Sequence, residues 1–122
     1  MAQRLYTEDH EWVEINDDVA TIGISSYAVD ELGEIVFVEL PDVGATVSVG
    51  EEFSSVESVK TVSGIYSPVD GEVVEKNQSV VDSPETINQS PYESGWLVKV
   101  KTNSDQSELM TEDAYQSFLQ TI

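Results

Sequence analysis

The feature that most constrains the fold of this chain is a short internal repeat. Residues 41–47 read PDVGATV and residues 68–74 read PVDGEVV, so a proline, a glycine and a valine recur 27 positions apart. Each copy has the pattern of a turn that contains Pro and Gly, followed by an apolar strand. A repeat of this size indicates one supersecondary unit that is used twice to close a shared core. Three matching positions also arise by chance, so the repeat is a hypothesis.

The segment between the two copies carries an isolated cation. Residues 56–66 read VESVKTVSGIY, and no other Lys or Arg occurs from Leu5 to Glu75. The two arms of the segment are rich in β-branched residues, which favour extended backbone, and Lys60 lies where they meet. The pattern predicts a β-hairpin with Lys60 at its exposed tip. The alternative is an ordinary solvated lysine on a surface hairpin.

This segment resembles the attachment segment of the H-protein family of the glycine cleavage system. The resemblance extends, in order, over essentially the whole chain. It rests on His10-Glu11-Trp12, Val19 to Ile24, Leu32 to Pro41, Glu57-Ser58-Val59-Lys60, Ser63, Ile65 to Pro68, Gly71-Glu72-Val73, Pro91-Tyr92, Gly95-Trp96-Leu97 and Leu109-Met110.

The resemblance implies a fold and a domain organisation. The fold is mainly β, a barrel-sandwich hybrid, which is a flattened lipoyl-type barrel of two antiparallel sheets with short helices and a C-terminal helix. The chain would be a single lipoyl-carrier domain over residues 1–122. The quasi-repeat with its hairpin would occupy residues 41–77, and the terminal helix residues 111–122.

The resemblance also assigns roles to single residues. Lys60 matches the lysine that carries lipoic acid through an amide bond. Glu57, Gly44 and Gly71 match the positions that the lipoylating enzyme is understood to recognise. Because the polypeptide contains no cysteine, any thiol chemistry has to come from such a cofactor.

The implied function is that of a non-catalytic lipoyl-lysine carrier. By resemblance, the arm takes an aminomethyl group from glycine decarboxylase, the P protein, which uses pyridoxal phosphate. It delivers the group to the tetrahydrofolate-dependent aminomethyltransferase, the T protein. Dihydrolipoamide dehydrogenase, the FAD-containing L protein, then reoxidises the dithiol.

In this family a surface cleft shelters the loaded arm, which ends in a cationic amine. Acidic side chains would hold such a group by charge-assisted hydrogen bonds. We therefore predict that Glu11 contacts the arm, with Glu31 as a weaker candidate. The alternative is that both are ordinary surface acids.

Composition limits the other classes of function. The 122 residues carry a formal net charge of −19, which argues against nucleic acids and anionic membranes as partners, since both require a basic surface. The acids are spread along the whole chain, which favours a strongly screening, saline habitat. The alternative is docking on basic enzyme surfaces. No signal peptide precedes Thr7 and no apolar run approaches membrane-spanning length, so we expect a cytoplasmic protein.

The chain is poorly equipped to be an enzyme. It has one histidine, no cysteine and no phosphate-binding glycine loop, so we predict neither a catalytic centre nor a metal site. His10 is expected to have a packing and hydrogen-bonding role.

Local patterns predict the individual elements. Turn residues 16–18 join a hairpin of residues 11–15 and 19–24, and Ser25-Ser26 and Gly33 bound a short helix. The apolar run 35–40 predicts a strand covered on both faces. One short helix is predicted to start at Ser83-Pro84-Glu85. A strand is predicted over 96–101, with Trp96, Val98 and Val100 on the core face. A terminal helix is predicted to pack on the sheets through a stripe of Ala114, Tyr115, Phe118, Leu119 and Ile122.

Other readings of the chain remain open. It could be a biotinyl domain, or the lipoyl domain of a 2-oxoacid dehydrogenase, although biotin acceptors place methionine on both sides of the lysine and here Val59 and Thr61 flank Lys60. It could be a lipoyl depot that supplies other enzymes. It could also be an unmodified acidic interaction module.

Overall fold

A computed structural model describes residues 4–102 and 109–122 of the chain. The strands within this part are β1 (Arg4–Tyr6), β2 (Glu11–Asn16), β3 (Val19–Ile24), β4 (Ile35–Glu39), β5 (Thr46–Val47), β6 (Glu52–Ser58), β7 (Val62–Tyr66), β8 (Gly71–Lys76) and β9 (Val98–Lys101). The helices are α1 (Ser26–Leu32), α2 (Gln78–Asp82), α3 (Glu85–Gln89) and α4 (Glu112–Leu119). None of these helices has the length and apolar character needed to cross a bilayer.

The strands form two antiparallel sheets. The larger has the order β1-β2-β3-β9-β8-β5, and the smaller has the order β4-β6-β7. The predicted β2–β3 hairpin is confirmed: Ile15 pairs with Ala20, and Asp17 takes a left-handed conformation in the turn. The mainly β class, with two antiparallel sheets, short helices and a C-terminal helix, is confirmed.

The two repeat copies pair with each other. Gly44 N–H donates to the Val73 carbonyl at 2.8 Å, and Val73 N–H donates to the Ala45 carbonyl at 2.9 Å. The pairing continues as strands β5 and β8, in which Thr46 lies opposite Glu72. At Gly71 a Cβ would collide with the carbonyl oxygen of Lys101, so only glycine allows β8 to approach β9 this closely.

Strand β4 differs from its prediction. Ile35 and Val38 are buried, but Val36 is 44% exposed and Phe37 is 53% exposed. The expectation that both faces of this strand are covered is therefore wrong. The physical reason is that β4 belongs to the three-stranded sheet, which turns one face to the core and the other to solvent, and a register shift lies between Ile35 and Phe37.

The short helices also differ in part from prediction. Helix α1 is capped as expected, because the Ser25 hydroxyl accepts from Ala28 N–H and Gly33 follows with φ +83°. Where one helix was predicted after Lys76, there are two. Helix α2 begins after Asn77, whose side chain accepts from Ser79 N–H, and a run of five residues is too short for its periodicity to be read from sequence.

The strand and helix at the C-terminal end are shifted from their predicted patterns. Strand β9 begins at Val98, with Val98 and Val100 buried, while Leu97 is buried and Trp96 is half-buried. In α4, Thr111 caps the helix and Tyr115 is buried, but Ala114 and Ile122 are exposed, so only part of the predicted stripe packs on the sheets. A helix of this length covers only a narrow strip of the sheet.

Tyr115 joins three parts of the molecule. Its ring stacks on Tyr6 at 4.3 Å between centroids. Its hydroxyl is hydrogen-bonded to the His10 Nδ1 at 2.8 Å and to the Ser25 Oγ at 2.7 Å. Since Ser25 also caps α1, this one phenol connects the terminal helix, the β1–β2 loop and α1.

Glu11 is a carboxylate buried in the fold. Its side chain is 2% exposed, accepts a hydrogen bond from the Thr7 hydroxyl at 2.6 Å, and accepts another from Tyr66 N–H at 3.3 Å. Burial raises the pKa of Glu11 to about 7, although these two hydrogen bonds oppose the shift. The residue therefore changes charge near neutral pH inside the protein.

The Tyr115 network predicts a loss of stability in Tyr115→Phe. Removing the hydroxyl leaves the partly buried His10 Nδ1 and the buried Ser25 Oγ with one partner fewer each, which costs about 1 to 3 kcal/mol of unfolding free energy. Chemical denaturation measures it. Tyr66→Phe, which loses a more exposed hydroxyl, is the control and should change stability by less than about 0.5 kcal/mol. Equal effects of the two changes would contradict a structural role for the Tyr115 hydroxyl.

Glu11 predicts a specific pH dependence of stability. Its pKa is higher in the folded protein than in the unfolded chain, so the folded state binds more protons from pH about 4.5 to about 7 and stability falls as pH rises through this window. Glu11→Gln removes the effect. From pH 5 to pH 8 its unfolding free energy should gain about 2 to 3 kcal/mol on that of the unsubstituted protein. Denaturation curves that shift equally in both proteins would contradict the buried titration.

Candidate functional site

The turn between β6 and β7 is fixed by backbone hydrogen bonds. Ser58 N–H donates to the Thr61 carbonyl at 2.8 Å, and the Ser58 hydroxyl oxygen accepts from the N–H groups of Lys60 and Thr61, each at 3.1 Å. Val59 N–H donates to the Glu34 carbonyl at 3.0 Å, which ties the turn to the start of β4. The Lys60 backbone is therefore held by Ser58 on β6, by the pairing of Ser58 with Thr61 before β7, and through Val59 by Glu34 before β4. The Lys60 side chain is exposed.

Lys60 differs from the other cations of the chain. Arg4, Lys76, Lys99 and Lys101 each have a carboxylate oxygen within 4 Å. Lys60 has no such partner among residues 4–102 and 109–122. In a chain with 24 acids and 5 bases, its amine is left accessible to other molecules.

The Lys60 side chain lies across Gly33, at the end of α1. A Cβ on Gly33 would stand 3.2 Å from the Lys60 Cε and 3.7 Å from its Nζ, and Gly33 has a positive φ that disfavours other residues. The missing side chain leaves a path for the lysine. The position at the carboxyl end of a helix also suits a cation.

A cleft of about 280 Å³ opens beside this path, between α1 and β7. Leu32, the residue before Gly33, is part of its wall. The lining is apolar at Ile24, Tyr27, Ala28, Leu32, Gly64 and Ile65 and polar at Asp9, His10, Glu31 and Ser63. An apolar cavity with a few convergent polar groups is the usual form of a small-molecule site.

His10 is held at one end of the cleft. Its ring is hydrogen-bonded to Tyr115 and packs on Tyr27 at 4.6 Å between centroids. Burial lowers the pKa of His10, while the charges of Asp9 and Glu31 act in the opposite direction. The expected packing and hydrogen-bonding role of His10 is confirmed, and the neutral imidazole is favoured.

The structure separates the predicted site residues into groups. Glu57 is exposed on β6, three positions before Lys60, and Glu31 lines the cleft. Glu11 does not line it: its carboxylate is buried beneath the β1–β2 loop. Gly44 and Gly71 lie in the paired repeat copies, away from the turn.

Sequence reasoning missed two contributors. The sequence pattern identifies Gly33 only as a helix terminator, and it does not point to Asp9. Neither had a signal in the sequence, because their roles depend on contacts with residues far away along the chain. Within the described ranges, no group of three or more His, Asp or Glu side chains is arranged to hold a metal ion.

Comparison with known proteins identifies the family. The sequence model described as "Glycine cleavage H-protein" matches residues 4–122. The glycine cleavage system H protein of Staphylococcus epidermidis is 50% identical over 116 residues, covering 93% of this chain and 92% of that protein. That of Thermobifida fusca is 52% identical over 110 residues, covering 90% and 87%.

A solved structure agrees. The crystal structure of a glycine cleavage system H protein from Mycobacterium marinum superposes with a TM-score of 0.92 at 44% identity, covering 97% of each chain. The resemblance found in the sequence is thereby confirmed. With a family match over nearly its full length and relatives at about half identity, the chain belongs to the glycine cleavage H-protein family.

Proposed function

We propose that this protein is a non-catalytic carrier that bears lipoic acid in amide linkage on Lys60. The observation that carries the proposal is the state of this one amine. It is exposed at a turn fixed by hydrogen bonds, and it lacks an ion-pair partner among the described residues. A lysine ammonium is not nucleophilic until it loses a proton, so the acylating enzyme has to reach it directly. The geometry of the turn makes that possible.

The surroundings of Lys60 fit a long acyl arm. Gly33 leaves the space beside the lysine Cε free, and the cleft begins at the next residue, Leu32. From Lys60 through the turn and along β7 to Ile65, the backbone spans up to about 16 Å, at about 3.3 Å for each extended residue. An arm on Lys60 that folds back along β7 therefore follows the length of the cleft.

When bound, the lipoyl group supplies a disulfide that can be reduced to a dithiol and can carry a one-carbon unit. The chain supplies presentation and shelter. We propose that it serves, in turn, the glycine decarboxylase (P protein), the aminomethyltransferase (T protein) and the dihydrolipoamide dehydrogenase (L protein). Membership of the glycine cleavage H-protein family supports this assignment.

The cleft would protect a cationic group at the end of the arm. Glu31 and Asp9 contribute carboxylates to the lining and Ser63 contributes a hydroxyl, while Ile24 and Ile65 exclude water. We propose that Glu31 contacts the cation. Glu11 would act indirectly, because its carboxylate binds Tyr66 N–H and so holds the end of β7 against the β1–β2 loop.

One prediction of the proposed function concerns the modification of Lys60. Intact and peptide mass spectrometry of the protein from its native cells should show one lipoyl increment on Lys60. Lys60→Arg should lose the increment and all glycine cleavage with the three partner enzymes, while folding normally, because the side chain is exposed. Lys76→Arg is the matched control and should keep both. A biotinyl increment, or full activity of Lys60→Arg, would overturn the proposal.

A cell strain that lacks the protein tests the role of the carrier. Loss of glycine catabolism alone is the expected result. Loss of all protein lipoylation in the cell would instead identify a lipoyl depot.

Another prediction concerns the acidic residues of the cleft. Glu31→Gln should shorten the lifetime of the loaded arm against hydrolysis by about 2- to 5-fold, the range for an exposed charge pair. Asp30→Asn is the matched control, since Asp30 is exposed on the same helix but does not line the cleft. Glu11→Gln is measured in parallel. Unchanged lifetimes in Glu31→Gln and Glu11→Gln would exclude both residues from holding the arm.

A further inference from the structure

The outward side of the three-stranded sheet carries exposed apolar residues beside Lys60. Phe37 on β4 lies opposite Glu57 on β6, which lies opposite Val62 on β7. Phe37 is 53% exposed and Val62 is 64% exposed. We call the surface formed by this row, together with Val36, Val59 and Tyr66, the sheet face.

The apolar residues of the sheet face are not part of the hydrophobic core. Val36, Val59 and Tyr66 are also exposed, and the inward residues of the same strands already fill the core. Glu57 on β6 separates Phe37 from Val62, so these apolar residues are grouped on one side of the sheet around a charged residue. Such a concentration of exposed apolar residues is typical of an interaction site. Phe37 lies on β4, at one edge of this sheet, and exposed aromatic side chains are enriched at protein interfaces.

Apart from Lys60, the charged side chains on and around the sheet face are all acidic. Glu34, Glu39, Glu52 and Glu57 are exposed on or beside its strands, and Lys60 is the only cation between Leu5 and Glu75. A partner that fits this surface has an apolar recess for Phe37 and lysine or arginine side chains around it.

We propose that the sheet face docks the enzyme that acylates Lys60. The inference rests on the proposed function and adds a surface to it. An enzyme that acts on the finished lipoyl arm can bind at a distance from the hairpin, because the long arm reaches its active site. An enzyme that forms the amide has to take the lysine Nζ into its own active site, so it contacts the surface around the turn.

Distances along the strands place the sheet face within the area that an enzyme bound at Lys60 would cover. Val62 and Glu57 are two and three residues from Lys60, so the row lies about 7 to 10 Å from the tip. A standard interface covers about 800 Å² on each partner, which corresponds to a radius of about 16 Å around its centre. An enzyme centred on Lys60 therefore covers Phe37, which lies one strand further from the hairpin.

The test is the rate of acylation of the unmodified full-length protein. A purified lipoate-activating ligase, ATP and lipoic acid are used, and mass spectrometry follows the product. Phe37→Ala should lower kcat/KM by roughly 10-fold, mainly through KM, while the midpoint of thermal unfolding stays unchanged. Phe37→Leu should recover part of the rate, and Val74→Ala, an exposed apolar change on β8 in the other sheet, should act as the unsubstituted protein does.

The outcomes separate this inference from the proposed function. If the unsubstituted protein is not acylated on Lys60, the proposed function fails. If it is acylated and Phe37→Ala is acylated with equal kcat/KM, the docking inference is overturned and the proposed function stands. Phe37→Ala that has been lipoylated beforehand should support glycine cleavage at the normal rate. A slower rate there, with normal acylation, would assign the sheet face to a downstream enzyme and overturn the choice of partner.

Discussion

Two backbone hydrogen bonds between the repeat copies, from Gly44 to Val73 and from Val73 to Ala45, close the chain segment that contains the hairpin. Between these joined ends, the chain runs out along β6 and returns along β7, and the antiparallel pairing of the two strands fixes its path. The absence of a side chain at Gly71 lets β8 reach β9 and connects this unit to the larger sheet. The position of Lys60 follows from these constraints, since its turn is the farthest point of the closed segment along the chain.

A small network of polar side chains holds the elements around the cleft in place. Tyr115 on α4 holds His10 and Ser25, and Glu11 holds Tyr66 at the end of β7. The two walls of the cleft, α1 and β7, are thus each fixed by a hydrogen bond, from Tyr115 to Ser25 in the interior and from Tyr66 to Glu11 in a partly buried position. Because buried polar groups without partners are costly, such a network selects one arrangement of the walls. The terminal helix, which does not line the cleft itself, becomes part of the site through a single phenol.

Much of the fold was predictable because its signals are local. The β2–β3 hairpin, the cap at Ser25 and the cap at Thr111 each depend on residues within a few positions of one another. The exposed side of β4 was not predictable, because an apolar run does not tell whether a strand lies in a covered sheet or in an open one. Its exposed residues, Val36 and Phe37, instead form part of a surface next to Lys60. Helix α2 was missed because five residues carry too little periodicity.

The sequence by itself determined the family, through motifs that resemble it, and the mainly β class, through turn and strand patterns between residues that are near one another in the chain. It also singled out Lys60, because no other Lys or Arg occurs from Leu5 to Glu75. The tertiary structure alone decided which acids line the cleft beside Lys60. The sequence favours Glu11 over Glu31 as the residue of the cleft, yet Glu31 lines the cleft and Glu11 is buried outside its lining. The structure also showed that Gly33 opens the path of the lysine. The physical reason is that burial and cavity shape arise from contacts between distant segments, and no local pattern encodes them.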